Sequence, residues 1–538
     1  MAGLGIKEAV LSPGSRSTPL AMWFCQHSQI KTYLNIDERS AAFLALGIAK
    51  EQERPVVLVC TSGSAAAHYL PAVTEAKHSR IPLLILTADR PAELQNVGAA
   101  QTINQTRILG EFLNYYEELA VPASQQQFTY PRLVMQKAYL KCGGAAPGPV
   151  QINVPLKEPL VPELEPKFFE LGRSQHQFQI DSGRLVPVLP PDYFKDRKGL
   201  IVCGAMAGTT WQPTILALGR RLQAPVLADP LSNLRQYADE VIIDSYDAFL
   251  KRAELKAELQ PDYILMLGQA PVSKRLQRFI AGQTEAECWQ VDPATDYRNP
   301  GLNTSRIIQA DPEALAEQLT WNNPDSSYLQ KWQFWQEKMR AKLQSAEQEN
   351  ELFEGKIVQI LQKAMPEGSR LVSANSMAIR DLDYFWRAKA KKIKVLANRG
   401  TNGIDGTVST ALGVATSGQP TVLLTGDLAF FHDLNGLLVG KTHALNLVIV
   451  LLNNNGGGIF QYLPQKGQPY FDYLFAVPHD LDFRGLEILY GLHYFKVEAY
   501  ADFEAKLQQA LTSPGLYLLE AATNQVRSWE LHERYTIL

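Results

Sequence analysis

An aspartate that closes one apolar run and an asparagine that closes the next are the residues of this sequence best suited to gripping a metal ion. Val422–Thr425 leads into Gly426-Asp427, and Leu447–Leu452 leads into Asn453-Asn454-Asn455-Gly456-Gly457-Gly458. Between the two there is room for one helix, at about His432–Lys441, and one strand, so both segments should leave the same carboxyl edge of a parallel sheet. Open α/β sheets bind their ligands at that edge. A carboxylate, an amide oxygen and a glycine carbonyl are hard oxygen donors of the kind Mg²⁺ takes, with diphosphate oxygens and water filling the remaining positions. The glycines after Asn454 let the backbone come close to phosphates. Either pair alone reads as turn residues after a strand. The two together, each after a buried strand, read as a metal–diphosphate site.

Two other phosphate motifs fail on spacing. Gly440-Lys441-Thr442 invites a P-loop reading, but the glycine required earlier falls on Asn435, and Gly436 is one residue too close. Gly400, Gly403 and Gly406 are spaced GxxGxxG, which is not the dinucleotide fingerprint. A second candidate is acidic. In Asn35-Ile36-Asp37-Glu38-Arg39-Ser40 a short strand hands over to a helix rich in Ala and Leu, with Glu38 at the junction. A carboxyl group in a poorly solvated cleft can move a proton. Asp37 and Glu38 also suit a helix N-terminus on their own account, at about 0.3–1 kcal/mol each.

The elements that must position these groups fall into three blocks, each alternating short apolar runs with longer helical patterns. That is the pattern of parallel sheets with crossover helices, an α/β fold of three doubly wound domains. In the first block strands are expected at Ala9–Leu11, Val56–Cys60 and Leu83–Thr87, with helices at Glu38–Glu51 and Ala65–Ala76. A Pro-rich passage from Pro155 to Pro191 reads as linker. The second block has strands near Leu200–Cys203, Pro225–Ala228, Tyr263–Leu267 and Trp289–Val291. A polar, Trp- and Gln-rich helical stretch, Ser326–Asn350, leads to the third, with strands at Arg370–Ser373, Lys394–Ala397, Val422–Thr425 and Leu447–Leu452. The first and third blocks read as a distant architectural pair.

Bulk properties narrow the classes. The chain has 538 residues, 46% hydrophobic and 20% charged, which is globular and too long for one core. A net charge of −3 gives no footprint for nucleic acid. Five scattered cysteines (Cys25, Cys60, Cys142, Cys203, Cys288) form no CxxC pair, which disfavours a disulfide framework or zinc site and suits a reducing cytoplasm. The opening MAGLGIKEAVL has no charged region followed by an apolar stretch, so no signal peptide is expected, and no apolar run nears the ~20 residues of a membrane span.

The GD…NN arrangement resembles the thiamine-diphosphate motif. The resemblance implies Asp427 and Asn454 as ligands of Mg²⁺ (or Mn²⁺), with a backbone contact from Gly456 and with Gly426 beside the cofactor. It also makes Glu38 the catalytic acid that activates the aminopyrimidine. The glycine usual after the Asp is Leu428 here. More specific motifs follow in order: Leu11-Ser12-Pro13-Gly14-Ser15-Arg16-Ser17-Thr18-Pro19, Thr61-Ser62-Gly63-Ser64, Leu86-Thr87-Ala88-Asp89-Arg90-Pro91, Asn375-Ser376 before Arg380, and Asn398-Arg399-Gly400 running into Gly403-Ile404-Asp405-Gly406. From the first strand to Leu463 the chain resembles the 2-succinyl-5-enolpyruvyl-6-hydroxy-3-cyclohexene-1-carboxylate synthase (MenD) family of menaquinone biosynthesis.

That resemblance implies a transferase that decarboxylates 2-oxoglutarate on thiamine diphosphate and adds the succinyl-semialdehyde carbanion to isochorismate. Both substrates are dicarboxylates, and arginine's planar fork suits carboxylates. The motif positions put Arg16, Arg90, Lys274, Arg275, Arg380 and Arg399 around the substrates, with Ser15, Gln101 and Ser376 as neutral partners. The Asn-Gln pair expected at Gln101 is Ala100-Gln101 here. Ile404 would support the bent cofactor, and Ile459, Phe460 and Leu463 would form an apolar wall. The implied domains are 1–165 (pyrimidine-binding), 185–325 (central) and 350–538 (diphosphate- and metal-binding). Because the cofactor of this superfamily spans two subunits, a homodimer or homotetramer is implied. Rival readings are another thiamine-dependent decarboxylase or synthase, or a thiamine-diphosphate-binding regulatory protein without catalysis. A nicotinamide dehydrogenase lacks its glycine fingerprint.

Overall fold

The computed structural model describes residues 1–121, 129–165, 167–172, 178–190, 192–206, 208, 210–319 and 321–538. They form three six-stranded sheets whose neighbouring strands all run parallel. The first comprises β1 (Glu8–Leu11), β2 (Lys31–Leu34), β3 (Val56–Cys60), β4 (Leu83–Asp89), β5 (Tyr115–Glu118) and β6 (Val150–Pro155), in the order β2-β1-β3-β4-β6-β5. The second comprises β7 (Gly199–Cys203), β8 (Val226–Ala228), β9 (Ile242–Ile243), β10 (Tyr263–Leu267), β11 (Glu287–Asp292) and β12 (Thr304–Gln309), ordered β12-β11-β10-β7-β8-β9. The third comprises β13 (Arg370–Ser373), β14 (Lys394–Ala397), β15 (Thr421–Gly426), β16 (Leu447–Asn453), β17 (His493–Val497) and β18 (Leu516–Ala522), ordered β14-β13-β15-β16-β18-β17. Strand for strand, the third sheet repeats the order of the first. The paired architecture expected of the outer blocks is there.

Apolar runs explain the central strands. Every residue of β3 and β4 is buried, as is β16 up to its last residue, as befits strands covered on both faces. Three expectations need correction. The helix expected over Ala65–Ala76 is two, Ser64–His68 and Leu70–Ser79, because Pro71 lacks an N–H and begins a new helix better than it continues an old one. The single helix expected at His432–Lys441 is broken into Asp427–His432, a 3₁₀ turn at Leu434–Gly436, and Leu437–Thr442. At the break the buried Asp433 carboxylate accepts from Ser409 N (2.7 Å), Ser409 Oγ (3.1 Å) and Ser40 Oγ (3.3 Å). The Pro155–Pro191 passage holds a short helix, Lys167–Gly172. Residues 166, 173–177 and 191 of that passage, Pro191 included, lie outside the described residues.

The outer sheets meet through two helices. Glu38–Gln52 crosses Thr407–Ala415 so closely that a Cβ on Gly47 would overlap the carbonyl oxygen of Thr410, and one on Gly413 that of Leu44. Glycine at both positions is what lets the backbones touch. Among the described residues no helix is long and apolar enough to cross a membrane.

Candidate functional site

β15 and β16 are neighbours, with Gly426 paired to Leu452, so the chain leaves both strands at one edge. Asp427 begins the helix there and is 2% exposed. Its Oδ2 accepts from the Gly456 amide at 2.9 Å, and its Oδ1 accepts from the Leu428 amide at 2.7 Å. Leu428 gives Asp427 a backbone N–H, which any residue but proline supplies, so the missing glycine costs nothing at this contact. Burial pushes the Asp427 carboxyl above the usual range, while those two amides and His479 pull it back. Two residues before Gly456, the Asn454 Oδ1 atom is buried with no hydrogen-bond partner among the described residues. An acceptor left so costs about 1–3 kcal/mol. Gly456 has φ +130°, and a Cβ there would overlap the carbonyl oxygen of Ala476, so no side chain stands in the cradle. A buried carboxylate, an orphaned amide oxygen and a bare glycine backbone fit a divalent ion that bridges to a diphosphate. Among the described residues there is no group of three or more His, Cys, Asp or Glu able to hold a metal.

Glu38 is the first residue of its helix, and Asp37 caps that helix, its Oδ1 accepting from Arg39 N at 2.9 Å and Ser40 N at 3.3 Å. Asp37 thus does the capping, and the half-buried Glu38 side chain makes no hydrogen bond among the described residues. Cys60 and Tyr69 lie close enough to feel it: burial first, and the Glu38 charge in addition, oppose their ionisation. No hydrogen bond or ion pair joins Glu38 to Asp427, Asn454 or Gly456 of its own chain. The polar contacts of Asp427 stay within the third block.

The cations gather as two like-charged pairs. At the edge of the first sheet, Arg16 Nη1 donates to Leu156 O at 2.9 Å and its Nη2 lies 3.5 Å from the exposed Glu158 carboxylate, while its Nε atom and the Nη1 atom of Arg90 are buried without partners among the described residues. Burial, then the charge of Arg16, lower the Arg90 guanidinium. Nearby, Gln101 Nε2 donates to Ser62 O at 3.2 Å and its carbonyl accepts from Ser62 Oγ at 3.1 Å; Ser15 is exposed. In the third block Arg399 Nη1 donates to Asn375 Oδ1 at 2.8 Å, and Arg380 donates to the carbonyl of Ser376. Burial lowers Arg399, and among its neighbours Arg380 pushes the same way. Cations held together in poorly solvated ground gain from an anion between them. Ser376 carries φ +63° and ψ −126°, a conformation that costs a non-glycine residue about 1–3 kcal/mol and clusters at ligand sites.

Arg275 and Lys274 begin the helix Lys274–Ala281. Arg275 Nη1 donates to Asp247 Oδ2 (2.6 Å) and Tyr384 Oη (2.7 Å), so its charge is already paired; Lys274 is exposed. The structure thus brings Ser15, Arg16, Arg90 and Gln101 to the first sheet, and Ser376, Arg380, Arg399 and the candidate metal donors Asp427, Asn454 and Gly456 to the third. Among the described residues no hydrogen bond or ion pair joins the two groups within one chain. Ile404 packs against the central apolar core. Ile459, Phe460 and Leu463 follow the triple glycine; Phe460 packs against Phe475 with the rings tilted and their centroids 5.2 Å apart. Sequence reasoning missed His479, whose Nε2 lies 3.3 Å from Asp427 Oδ2 while its Nδ1 accepts from Leu481 N at 3.0 Å. No local motif marks it. It also missed Asn375 as a site residue, although Asn375 sat inside a motif.

Fold and site together define a thiamine-diphosphate enzyme, and comparison with known families agrees. A family model described as the N-terminal TPP binding domain of thiamine pyrophosphate enzymes matches residues 1–108; one described as the middle domain matches 186–372, and one described as the C-terminal TPP binding domain matches 381–521. The 2-succinyl-5-enolpyruvyl-6-hydroxy-3-cyclohexene-1-carboxylate synthase of Lactococcus lactis subsp. lactis is 56% identical over 99% of this chain and 97% of its own. That of Desulfitobacterium hafniense is 53% identical over the same shares. The chain belongs to this synthase family. Benzoylformate decarboxylase from Polynucleobacter necessarius, at 16% identity, matches 97% of each chain with a TM-score of 0.73, a likeness of fold alone.

Proposed function

We propose that this enzyme decarboxylates 2-oxoglutarate and joins the remaining four-carbon unit to isochorismate, forming 2-succinyl-5-enolpyruvyl-6-hydroxy-3-cyclohexene-1-carboxylate for menaquinone biosynthesis. The observation that carries the reading is the orphaned, buried Asn454 Oδ1 beside the Gly456–Asp427 hydrogen bond. Asp427, Asn454 and the Gly456 backbone would hold Mg²⁺ or Mn²⁺. When bound, thiamine diphosphate supplies the electron sink for breaking and making the carbon–carbon bonds. Glu38 moves the proton, at its own carboxyl oxygens. Arg380 and Arg399, steadied by Ser376, take a carboxylate of one substrate, and Arg16 and Arg90, with Ser15 and Gln101, take one from the other. Lys274 extends the cationic rim, while Arg275, through Asp247 and Tyr384, secures the helix that carries Arg380. Gly426, Ile404, Ile459, Phe460 and Leu463 shape the ground around the cofactor and keep water out.

We place the domains at 1–165, 185–325 and 350–538. The separation of the two arginine pairs within one chain supports a homodimer or homotetramer in which the first domain of one copy completes the site of another. The five cysteines, all free, fit a cytoplasmic enzyme. Release of carbon dioxide from 2-oxoglutarate, measured with and without thiamine diphosphate, Mg²⁺ and isochorismate, tests the reading. Release from pyruvate alone would overturn it. Arg399→Ala should raise the KM for 2-oxoglutarate roughly ten- to hundredfold, the cost of a lost charged hydrogen bond. Its thiamine diphosphate affinity should change far less, and equal loss of both would assign Arg399 to the scaffold.

A further inference from the structure

A carboxylate in the first block holds the loop that carries Arg399. Glu75 is 1% exposed on the helix Leu70–Ser79, among buried Ala72, Val73 and Ala76. For packing alone an apolar side chain would serve at less cost than a buried charge. What Glu75 adds is directed acceptance. Its Oε1 accepts from Gly400 N at 3.0 Å and from Ser79 Oγ at 2.6 Å; its Oε2 accepts from Thr401 N at 2.8 Å and Thr401 Oγ1 at 3.2 Å. The buried Lys50, at the far end of the helix from Glu38, pairs with Glu75 Oε1 at 3.2 Å. Its Nζ also donates to Ala397 O at 2.7 Å and Asn398 Oδ1 at 2.9 Å.

Both flanks of Arg399 are therefore clamped by the first block, Ala397 and Asn398 by Lys50, Gly400 and Thr401 by Glu75. Arg399 itself is left free of that grip, and its guanidinium turns to Asn375. Asn375 in turn donates to Asn398 O at 2.8 Å and Gly403 O at 2.5 Å, holding the loop from its other side. We propose that Glu75 is a positioning residue for substrate recognition, aiming Arg399 at a carboxylate of 2-oxoglutarate through the Gly400 and Thr401 amides. This rests on the function proposed above. Among the two arginine pairs the clamp serves the one on the sheet that carries the metal residues, so it acts on the substrate decarboxylated there.

The test uses the holoenzyme and Glu75→Gln, Arg399→Gln, the combined Glu75→Gln/Arg399→Gln, and Lys50→Met/Glu75→Gln. It reads the KM for 2-oxoglutarate and for isochorismate, kcat, the Kd of glutarate as an unreactive dicarboxylate, the Kd of thiamine diphosphate for the apoenzyme, and the melting temperature. Glu75→Gln should raise the KM for 2-oxoglutarate and the Kd of glutarate about tenfold, the scale of one weakened charged hydrogen bond. The KM for isochorismate and the Kd of thiamine diphosphate should stay within about twofold, too small a shift to signal a lost contact. Residues acting through one another are not additive, so the combined variant should be no worse than Arg399→Gln alone.

Glu75→Gln leaves Lys50 buried without its partner. Lys50→Met/Glu75→Gln removes that charge as well, and it should recover stability while keeping the raised KM; it is the variant to read if Glu75→Gln does not fold. A lowered melting temperature with unchanged KM and glutarate affinity would overturn the proposal. So would multiplying effects of Glu75 and Arg399, or a normal KM in the charge-neutral double variant. If wild-type enzyme leaves 2-oxoglutarate untouched while Glu75→Gln still weakens glutarate binding, the assigned reaction falls and the clamp stands.

Discussion

Asp427→Ala enzyme should fail to bind thiamine diphosphate in a Mg²⁺-dependent way. The carboxylate is the one anionic donor among Asp427, Asn454 and Gly456, and it is also the group that Gly456 N and Leu428 N point at. Removing it takes away the proposed anionic metal donor and releases the Gly456 backbone in one change. Groups that merely orient metal ligands cost ten- to hundredfold in affinity when removed, so loss of the anionic ligand itself should exceed about a hundredfold. Titration of apoenzyme with the cofactor at fixed Mg²⁺, followed by tryptophan fluorescence, reads this directly. Undiminished, metal-dependent binding would mean that the cation sits elsewhere.

The complementary result is expected of Glu38→Gln. Glutamine keeps the shape of the side chain and cannot exchange a proton, so carbon dioxide release from 2-oxoglutarate should fall by about 10²–10⁴, the usual contribution of a positioned acid. Asp37 caps the helix in either case, so folding should be spared. Nor does any hydrogen bond or ion pair join Glu38 to the proposed metal donors of its own chain, so Mg²⁺-dependent cofactor binding should survive. The two variants dissect one reaction: Asp427→Ala loses the cofactor, and Glu38→Gln keeps it idle. Full turnover by Glu38→Gln would remove Glu38 from the chemistry.

Much of the fold was legible because buried parallel strands advertise themselves. Val56–Cys60, Tyr263–Leu267, Arg370–Ser373 and Lys394–Ala397 appear residue for residue where the apolar runs predict them. Two edge strands were not: β5 reads Tyr-Tyr-Glu-Glu and β12 is mostly exposed, so neither presents a continuous apolar run, unlike the edge strand β14, which is buried past its first residue. The break at Asp433 was hidden for another reason, since its cause is a tertiary contact with Ser409 and Ser40. Of the site, the donors at Asp427 and Asn454 could be read from composition at strand ends. Glu38 and the arginines could not, because an acid at a helix start or an arginine in a loop is ordinary in isolation. His479 and the Lys50–Glu75 pair stayed invisible: each gains meaning only from a partner more than twenty residues away in sequence.

The bare crossing of Gly47 on Gly413 turns the helix Glu38–Gln52 into a beam resting on a fulcrum. Glu38, the candidate acid, sits at one tip and the loop-gripping Lys50 lies toward the other. Because the backbones already touch, a single methyl group inserted at the pivot would lift the beam and disturb both tips at once. Two pieces of chemistry that never meet inside one chain thus share a mechanical tolerance narrower than one carbon atom.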